Sequence, residues 1–351
     1  MKQTLFRRAP SLVCYWAEGR LVIDNYLARR RVTADPLVFQ ILNFFDDWKP
    51  VEALLAQMRD FTAASVRKAV ADLARCSLLE RSSKRNRQLE KAFASWQEWN
   101  PAGSFFHFST KDVPFTFDPM SEQKFARSRR KKAEFPELTK SYPRSRKILL
   151  SAPAGEGELA KTLLARRTWR EFSRRPVTLE QVGTLLGLTW LIQARAESPF
   201  GPIAFKTSPS GGARHPIEAY VVSLQVKNLA RGIFHYNAER HCLELLRKGV
   251  SGAEMNAMLA GQKFFARAAV IIFMTAVFAR EQWKYPTPRA YRVVQLDAGH
   301  LCQTFCLVAT ALGLAPFSTA ALADSRIERA LGIDGVSESV IYAAGVGQRP
   351  R

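Results

Sequence analysis

The sequence has few residues that could form disulfides or bind metal. Its 351 residues include only five cysteines and five histidines. The cysteines are odd in number and widely spaced, which argues against a disulfide framework. Cys302 and Cys306 are four residues apart on a predicted helix, but no second cysteine pair accompanies them, so we interpret them as buried apolar residues. We therefore expect a cytoplasmic protein that binds no metal.

Long apolar runs and the common nucleotide-binding motifs are also missing. The first sixteen residues lack the apolar core of a signal peptide. The longest apolar run, Ala268–Ala279, is too short to span a bilayer and is typical of a buried strand. No GxGxxG motif follows a strand and opens a helix, and no GxxxxGK[ST] motif occurs, so neither a Rossmann site nor a P-loop is predicted.

Acidic residues are scarce relative to basic ones. The chain has 52 Lys and Arg against 31 Asp and Glu, a net charge of +21. This balance favours an anionic partner, which could be nucleic acid, a membrane surface, a phosphate-bearing cofactor or an acidic peptide. The densest basic run, Ala126–Lys147, lies between two candidate domains, and we interpret it as a solvated linker.

Residues 1–85 resemble a winged-helix module. Two extended runs around Glu18-Gly19 predict a hairpin within residues 10–33, and three short amphipathic helices follow. Asp35 and Pro36 indicate the start of the first helix, and Thr62 is the predicted N-cap of the third. Such a module binds either DNA through its third helix or another protein surface. The third helix is mostly alanine and valine, which favours contact with protein over contact with nucleic acid.

Residues 86–154 form a predicted linker region that is aromatic at first and basic later. Five aromatic residues within thirteen positions indicate that the segment between Trp96 and Phe108 is held against a core. We interpret His107, which lies among them, as a structural residue.

Residues 155–351 mix strands and helices without strict alternation, which predicts an α+β sandwich. A helix capped by Thr178 is predicted near the start, and Val293–Gly313 predicts a helix that is apolar almost all round and therefore buried. Strands are predicted in the runs EAYVVSLQV, RGIFHYN, HCLELLRKG, AVIIFMTAVFA and SVIYAAGVG.

Three clusters in this region suit an anionic ligand. The first combines guanidinium groups and a hydroxyl at a predicted helix end, with two arginines on one face at i,i+4. The second is a bend, Thr207–Pro216, whose small residues allow close backbone approach. The third is a pair of C-terminal glycines followed by an arginine. Their residues are Arg166, Arg167, Thr168 and Arg170; Ser210, Gly211 and Gly212; and Gly345, Gly347 and Arg349.

Taken in chain order, these motifs carry a resemblance. RRTWREF, PSGGARHPIEAY, GIFHYN, WKYPTPRAYRVVQLDAGHLCQ and ESVIYAAGVG resemble the SagB-type dehydrogenases of the FMN-dependent nitroreductase superfamily over roughly residues 155–349. The resemblance implies a nitroreductase-like α/β/α sandwich and a homodimer that binds FMN between its subunits.

The resemblance also assigns the clusters to parts of the cofactor. Arg166, Arg167, Thr168 and Arg170 would hold the phosphate and the pyrimidine edge. Ser210, Gly211 and Gly212 would face the isoalloxazine ring or the ribityl chain, and Gly345, Gly347 and Arg349 would close the site near the phosphate. A helix would line the pocket and the dimer interface with Asp297, Gly299, His300 and Gln303.

Lys284 and Tyr285 match a Lys-Tyr pair of azoline-oxidising relatives and are the candidate catalytic residues. Aromatising an azoline removes a proton and a hydride, and a lysine in its neutral form or a tyrosinate can accept the proton. The implied function is azoline dehydrogenation in a ribosomally made peptide, with a cyclodehydratase and a precursor peptide as partners. The alternatives are an NAD(P)H-dependent nitro or quinone reductase and a non-catalytic partner that binds peptide or nucleic acid.

Overall fold

A computed structural model describes residues 4–115, 117–132, 138–140, 143–152 and 155–350. The chain divides into two compact units. The first unit contains the described residues up to Lys111, together with Val277–Val294 and Val336–Glu338. The second unit contains the remaining described residues.

The first unit begins with two small sheets and five helices. One sheet has the strand order β5-β1-β6 and the other has the order β2-β3-β4. A short 3-10 helix, Ala94–Trp99, lies between the last two helices. The strands are β1 Leu5–Arg8, β2 Leu12–Ala17, β3 Arg20–Asn25, β4 Arg30–Ala34, β5 Lys49–Pro50 and β6 Leu79–Arg81, and the helices are α1 Val38–Phe44, α2 Val51–Gln57, α3 Ala63–Arg75, α4 Lys84–Phe93 and α5 Ala102–Ser109.

The predicted hairpin and the three predicted helices are confirmed, but the first helix begins at Val38 after Leu37, so Asp35 is not its N-cap. Strands β2 and β3 pair in antiparallel register around the turn at Glu18-Gly19. Helix α3 begins after Thr62, whose Oγ1 accepts a hydrogen bond from the backbone N–H of Ser65. The apolar stripe of α3 packs into a core with residues of α1, α2 and β3. The winged-helix assignment itself stays a prediction.

The aromatic segment is helical and packs within the first unit. Trp96, Trp99 and Phe108 are buried, and the indole N–H of Trp96 donates to the carbonyl oxygen of Val336 at 2.9 Å. His107 stacks on Trp96 and hydrogen-bonds through Nδ1 with the Tyr291 hydroxyl at 2.9 Å. These contacts support the structural interpretation of His107.

The rest of the chain contains seven more helices and ten more strands among its described residues. Helix α10 and the first residues of α11 belong to the first unit. The helices are α6 Pro119–Lys132, α7 Gly157–Ala165, α8 Leu179–Trp190, α9 Gly252–Met258, α10 Phe278–Gln282, α11 Ala290–Ala311 and α12 Asp324–Leu331, and the strands are β7 Val177–Thr178, β8 Ala194–Ala196, β9 Ile203–Phe205, β10 Ile217–Ser223, β11 Val226–Lys227, β12 Gly232–Asn237, β13 Cys242–Lys248, β14 Val270–Val277, β15 Leu314–Thr319 and β16 Glu338–Gln348.

A six-stranded sheet is the centre of the second unit. Its strand order is β13-β12-β10-β14-β16-β15. The five predicted strands are confirmed, and the apolar run in β14 is buried over 270–276, as expected. Strand β15 was not predicted, because its sequence LAPFST contains a proline and reads as a loop; it pairs antiparallel with β16 along its whole length.

The structure also shows the basic run and the helix capped by Thr178. Part of the predicted linker is helix α6, whose side chains are exposed over 119–131. Helix α8 begins after Thr178, and a capping box between Thr178 and Gln181 satisfies the first backbone donors. The prediction of this N-cap is confirmed.

His235 lies between two glutamates in the second unit. His235 on β12 contacts Glu218 through Nε2 and Glu244 through Nδ1, both at 2.9 Å. The hydrogen bond with Glu218, and then that with Glu244, raise the pKa of His235 to about 9 against the opposing effect of burial. Because the pKa of His235 is higher in the folded state, the protonated side chain stabilises the fold. This stabilisation is complete below pH 6.5, the pKa in the unfolded chain, and is lost as the pH rises through 9.

We expect the free energy of unfolding to fall by about 1 kcal/mol or more between these two pH values, since the group is partly solvated. Urea unfolding of the wild type and of His235→Gln across this range tests the expectation. An equally steep fall in the variant would show that His235 is not the cause.

Candidate functional site

The arginine-rich segment after α7 is extended rather than helical. Helix α7 ends at Ala165, and Arg166 already has ψ 127°. The predicted i,i+4 helical face for Arg166 and Arg170 is therefore wrong. The backbone of the segment bonds to the sheet instead: the Trp169 N–H donates to the Pro316 carbonyl oxygen at 2.9 Å. Hydrogen bonding at the free edge of β15 satisfies these backbone groups and overrides the helical pattern.

The arginine-rich segment and the C-terminal arginine together contain four candidate phosphate-binding side chains. Arg167, Thr168 and Arg170 are exposed, and Arg166 is half-buried. Within the part of the chain that the structure describes, no carboxylate lies within ion-pair distance of the four arginines. Guanidinium groups without a carboxylate partner can bind phosphate in paired hydrogen bonds. The four are Arg166, Arg167, Arg170 and Arg349.

Trp169 connects the arginine-rich segment with Arg349. The guanidinium carbon of Arg349 lies 5.8 Å from the centre of the Trp169 ring. Arg349 also donates to the carbonyl oxygens of Thr310 and Leu314, each at 3.1 Å, which ties it to the junction of α11 and β15. The structure thus brings the predicted first and third clusters to one edge of the sheet. Trp169 was not predicted as a site residue, although it stands in the middle of the RRTWREF motif.

The two C-terminal glycines leave room for aromatic rings. A Cβ atom at Gly345 would lie 2.5 Å from the ring of Phe317 and 2.8 Å from the carbonyl oxygen of Val270. A Cβ atom at Gly347 would lie 2.6 Å from the ring of Phe172. Close packing therefore explains why both positions are glycine. Their place beside a phosphate stays a prediction.

The serine–glycine bend is held by a buried carboxylate. Ser210 Oγ donates to Asp297 Oδ2, and the Gly211 N–H donates to Asp297 Oδ1 at 3.3 Å. Ser210 Oγ also accepts from the His215 N–H at 2.8 Å. Gly212 has φ 56°, a left-handed value that glycine adopts at no steric cost. The donors of Ser210 and Gly211 are thus used inside the protein, which fixes the shape of the bend.

Helix α11 supplies further contacts to the same bend. His300 Nδ1 donates to the Pro209 carbonyl oxygen at 3.3 Å, and the hydroxyls of Ser208 and Thr304 are hydrogen-bonded at 2.6 Å. With Asp297, these residues recur at three and four positions along one helix face. We did not predict the contact between Ser208 and Thr304 from the sequence. The polar residues at helical spacing in an otherwise apolar helix do indicate that this face contacts polar groups.

Helix α11 is buried on one side only, so the prediction of burial all round is wrong. Asp297, Cys302 and Cys306 are buried, which confirms the interpretation of both cysteines. The opposite side is exposed and includes three of the residues predicted to line a pocket and a dimer interface. The exposed residues of this side are Gln295, Leu296, Gly299, His300 and Gln303.

Burial raises the pKa of Asp297, and the hydrogen bonds from Ser210 and Gly211 counteract this effect. We expect Asp297→Ala to lower the free energy of unfolding by about 1–3 kcal/mol, because two donors lose their acceptor. Asp297→Asn should lose less, since its amide oxygen can still accept one of the two bonds. Urea unfolding measures both; equal stability of Asp297→Ala and wild type would contradict this account.

Lys284 and Tyr285 lie in the first unit, whereas the arginines and the bend lie in the second. Both follow α10 and are half-buried, and their backbone N–H groups donate to the Glu281 carbonyl oxygen at 3.2 and 3.1 Å. Lys284 Nζ is 5.5 Å from the centre of the Tyr285 ring. The Trp99 indole N–H donates to the Tyr285 carbonyl oxygen at 3.0 Å, which fixes the loop.

Comparison with known proteins identifies the family. Residues 163–348, more than half of the chain, match the model of the nitroreductase family. The chain belongs to the nitroreductase family. This is a family of oxidoreductases, and its matched region contains the arginine segment, the bend, the Lys-Tyr pair and helix α11.

Individual relatives agree with this assignment. A nitroreductase-like protein of Methanocaldococcus jannaschii is 31% identical over 51% of this chain and 86% of its own. The trifolitoxin-processing protein TfxB of Rhizobium leguminosarum bv. trifolii is 33% identical over 39% of this chain, which spans only 38% of that protein. Homologues of this nitroreductase-family chain therefore include a protein of peptide maturation.

A solved structure confirms the predicted nitroreductase-like fold. A chain of the Escherichia coli microcin synthetase McbBCD complex, solved with truncated pro-MccB17 bound, matches with TM-score 0.52. The match is 19% identical and covers 75% of this chain and 94% of that one. Together the matches support the SagB-type branch of the superfamily. Among the described residues, no helix has the length and apolar character needed to cross a membrane.

Proposed function

We propose that this nitroreductase-family chain is an FMN-dependent dehydrogenase that oxidises azoline rings to azoles in a ribosomally made peptide. The observation that carries the proposal is the contact between Arg349 and Trp169 of the arginine-rich segment, in a chain whose four candidate arginines have no carboxylate partner among the described residues. The chain also contains the SagB-type motifs. The trifolitoxin-processing relative and the fold match to a microcin synthetase support a peptide substrate.

The residues present fit FMN. Arg166, Arg167, Thr168 and Arg170, with Arg349, offer charged donors for a phosphate and the pyrimidine edge. Ser210, Gly211 and Gly212 would form the surface beneath the ring or the ribityl chain, because the bend is fixed by Asp297 and leaves the Gly212 backbone without a side chain. Gln303 is exposed on α11 and would add a polar contact.

Bound FMN would supply the hydride acceptor that the loss of two hydrogens from an azoline requires. The remaining task is to remove a proton from a ring carbon. We assign it to Lys284 Nζ or to the Tyr285 hydroxyl, which belong to neighbouring residues on a loop held by Glu281 and Trp99. Half-burial limits their access to water and is suited to a general base.

We also propose that two copies associate through the second unit. Helix α7 has no buried residue, and its Leu159 and Leu164 are 70% and 72% exposed. Leu296 on the open side of α11 is 59% exposed. Exposed leucines on two helices are typical of an interface. A cyclodehydratase would be a further partner, since it forms the azoline that this reaction consumes.

The purified chain tests the proposal directly. We expect an oxidised-flavin absorption spectrum and, with a thiazoline-bearing peptide under air, a product lighter by two hydrogens in mass spectrometry. Sedimentation should give the mass of a dimer. A flavin-loaded protein that leaves thiazoline and oxazoline peptides unchanged would contradict the proposed reaction.

The relative from Methanocaldococcus jannaschii favours a second candidate, an NAD(P)H-dependent nitro or quinone reductase. Anaerobic addition of NADPH distinguishes the two. Rapid bleaching of the flavin followed by turnover of a nitroaromatic compound would favour the reductase, whereas slow bleaching with oxidation of the peptide favours the dehydrogenase.

A further inference from the structure

The basic run of the second unit begins in helix α6, and a groove of about 800 Å³ lies along this helix. Lys124, Arg127 and Lys131 line the α6 groove together with Ser121 and Ser128. The three cations recur at three and four positions, so they share one face of the helix. Cationic side chains beside hydroxyl groups are suited to bind phosphate oxygens. The match to the nitroreductase family begins after this helix, at residue 163, and does not explain the groove.

The described lining of the α6 groove is positively charged. Lys124, Arg127 and Lys131 are not within ion-pair distance of any carboxylate among the described residues. Asp118 is the one carboxylate of the described lining, and it accepts a hydrogen bond from the backbone N–H of Ser121 at 2.8 Å. Because this carboxylate is engaged at the start of the helix, the three cations determine the charge of the groove, which favours an anionic ligand.

A second exposed segment of the same unit combines cations with apolar side chains. Arg144 and Arg146 are exposed, and Ile148, Leu149 and Leu150 come soon after them in the chain. The three aliphatic residues are 79%, 93% and 89% exposed. Three consecutive large aliphatic side chains with this exposure form an apolar patch, and a patch rimmed by polar residues is typical of an interaction site.

The combination of positive charge and apolar surface selects the kind of partner. A nucleic acid or an acidic protein segment would neutralise the cations but leave residues 148–150 in water. A second copy would bring the same positive charge against this surface, in contrast to α7, whose Lys161 is paired with Glu158 at 3.2 Å. A bilayer with anionic phospholipids offers phosphates to the cations and an apolar interface to the aliphatic side chains. Met120 and Phe125 on α6, which are 79% and 69% exposed, suit the same interface.

We propose that helix α6 and residues 143–150 form a binding surface for membranes that contain anionic phospholipids. Lipid phosphates bind in the α6 groove beside Lys124, Arg127 and Lys131, and the aliphatic side chains of residues 148–150 enter the headgroup region. A basic patch and an apolar anchor together give stable attachment, which either signal alone does not. The attachment is peripheral, and it is independent of the proposed flavin chemistry.

Cosedimentation of the full chain with liposomes tests the proposal. One set of liposomes contains phosphatidylglycerol and phosphatidylcholine in equal amounts, and the other contains phosphatidylcholine alone. We expect the wild type to bind the anionic liposomes about tenfold more tightly than the neutral ones, or better. The triple variant Lys124→Gln/Arg127→Gln/Lys131→Gln should weaken binding to the anionic liposomes by about tenfold or more, because the groove loses its cations.

The matched control is Lys227→Gln/Arg231→Gln/Lys248→Gln, which removes three exposed cations from elsewhere in the second unit. Both triple variants have the same net charge, so a general attraction between a basic protein and anionic lipid affects them equally. We expect the control variant to bind anionic liposomes as the wild type does. Equal losses in the two variants, or equal binding of the wild type to both kinds of liposome, would overturn the proposal.

Leu149→Ser/Leu150→Ser tests the apolar contact, and Leu245→Ser/Leu246→Ser is its control, because these leucines of β13 are 49% and 48% exposed. We expect only the first double variant to weaken binding to anionic liposomes, by about tenfold or more. Circular dichroism and sedimentation velocity without lipid should give the fold and the mass of the wild type. A smaller mass for Leu149→Ser/Leu150→Ser would show that a second copy covers this segment and would overturn the proposal. Loss of DNA-duplex binding in the α6 triple variant, with liposome binding unchanged, would overturn it in favour of a nucleic acid.

Discussion

Replacing Lys284 by alanine is expected to lower the turnover of a thiazoline peptide by about 10²–10⁴-fold, the usual contribution of a general base. Lys284 Nζ is 5.5 Å from the centre of the Tyr285 ring on a loop held by backbone hydrogen bonds, so removing this side chain should leave the loop in place. The flavin spectrum and the FMN dissociation constant should not change, because the phosphate donors are elsewhere in the chain. Stopped-flow kinetics with saturating peptide measures the effect.

Two further variants show which group accepts the proton. Tyr285→Phe keeps the ring and removes only the hydroxyl, so a smaller loss than in Lys284→Ala would identify the lysine as the base. Lys227→Ala changes an exposed lysine of β11 and serves as the matched control. A Lys284→Ala enzyme with wild-type turnover would exclude the assignment, and so would a loss of equal size in Lys227→Ala.

Local sequence signals predicted much of the fold because local physics decides those elements. Thr62 and Thr178 each satisfy a backbone donor at a helix start, and each marks the helix that the structure contains. The apolar run 270–276 is buried in the middle of the sheet, as an uninterrupted apolar sequence indicates. In these places, no distant partner competes with the local preference.

The errors occur where a distant strand decides the local structure. The spacing of Arg166 and Arg170 predicted that the helix continues past Ala165, but the chain beyond Ala165 hydrogen-bonds to the edge of β15. Strand β15 itself was missed, because its proline is acceptable only at a sheet edge, which the sequence does not show. The two errors have the same origin, because the arginine segment pairs with the edge strand that was not predicted.

The candidate site was predicted as a set of residues but not as an arrangement. The sequence motifs named Asp297 and Ser210 separately, and only the structure shows that one accepts a hydrogen bond from the other. Similarly, Gly347 signalled close approach, but the group that approaches is the ring of Phe172. A glycine in a strand indicates that another group approaches the backbone closely, but it does not identify that group.

Replacing Arg170 by alanine is expected to weaken FMN binding by about 10–100-fold. A hydrogen bond to a charged group contributes about 1.5–3 kcal/mol, and each 1.4 kcal/mol is tenfold in affinity. Arg170 is exposed and lies beside the Phe264 ring at 5.9 Å, so its loss should cost little stability. Arg174→Ala removes an equally exposed arginine four residues later and should change neither affinity nor stability.

Quenching of FMN fluorescence on titration with the apoprotein measures both dissociation constants, and the double variant Arg167→Ala/Arg170→Ala extends the series. Because both side chains are exposed and unpaired with carboxylates in the described chain, their removal should act on the ligand alone. The loss in the double variant should exceed that in either single variant, and riboflavin, which lacks the phosphate, should lose less affinity than FMN does. Equal loss of riboflavin binding would place these arginines at the ring rather than at the phosphate, and unchanged FMN affinity would remove them from the site altogether.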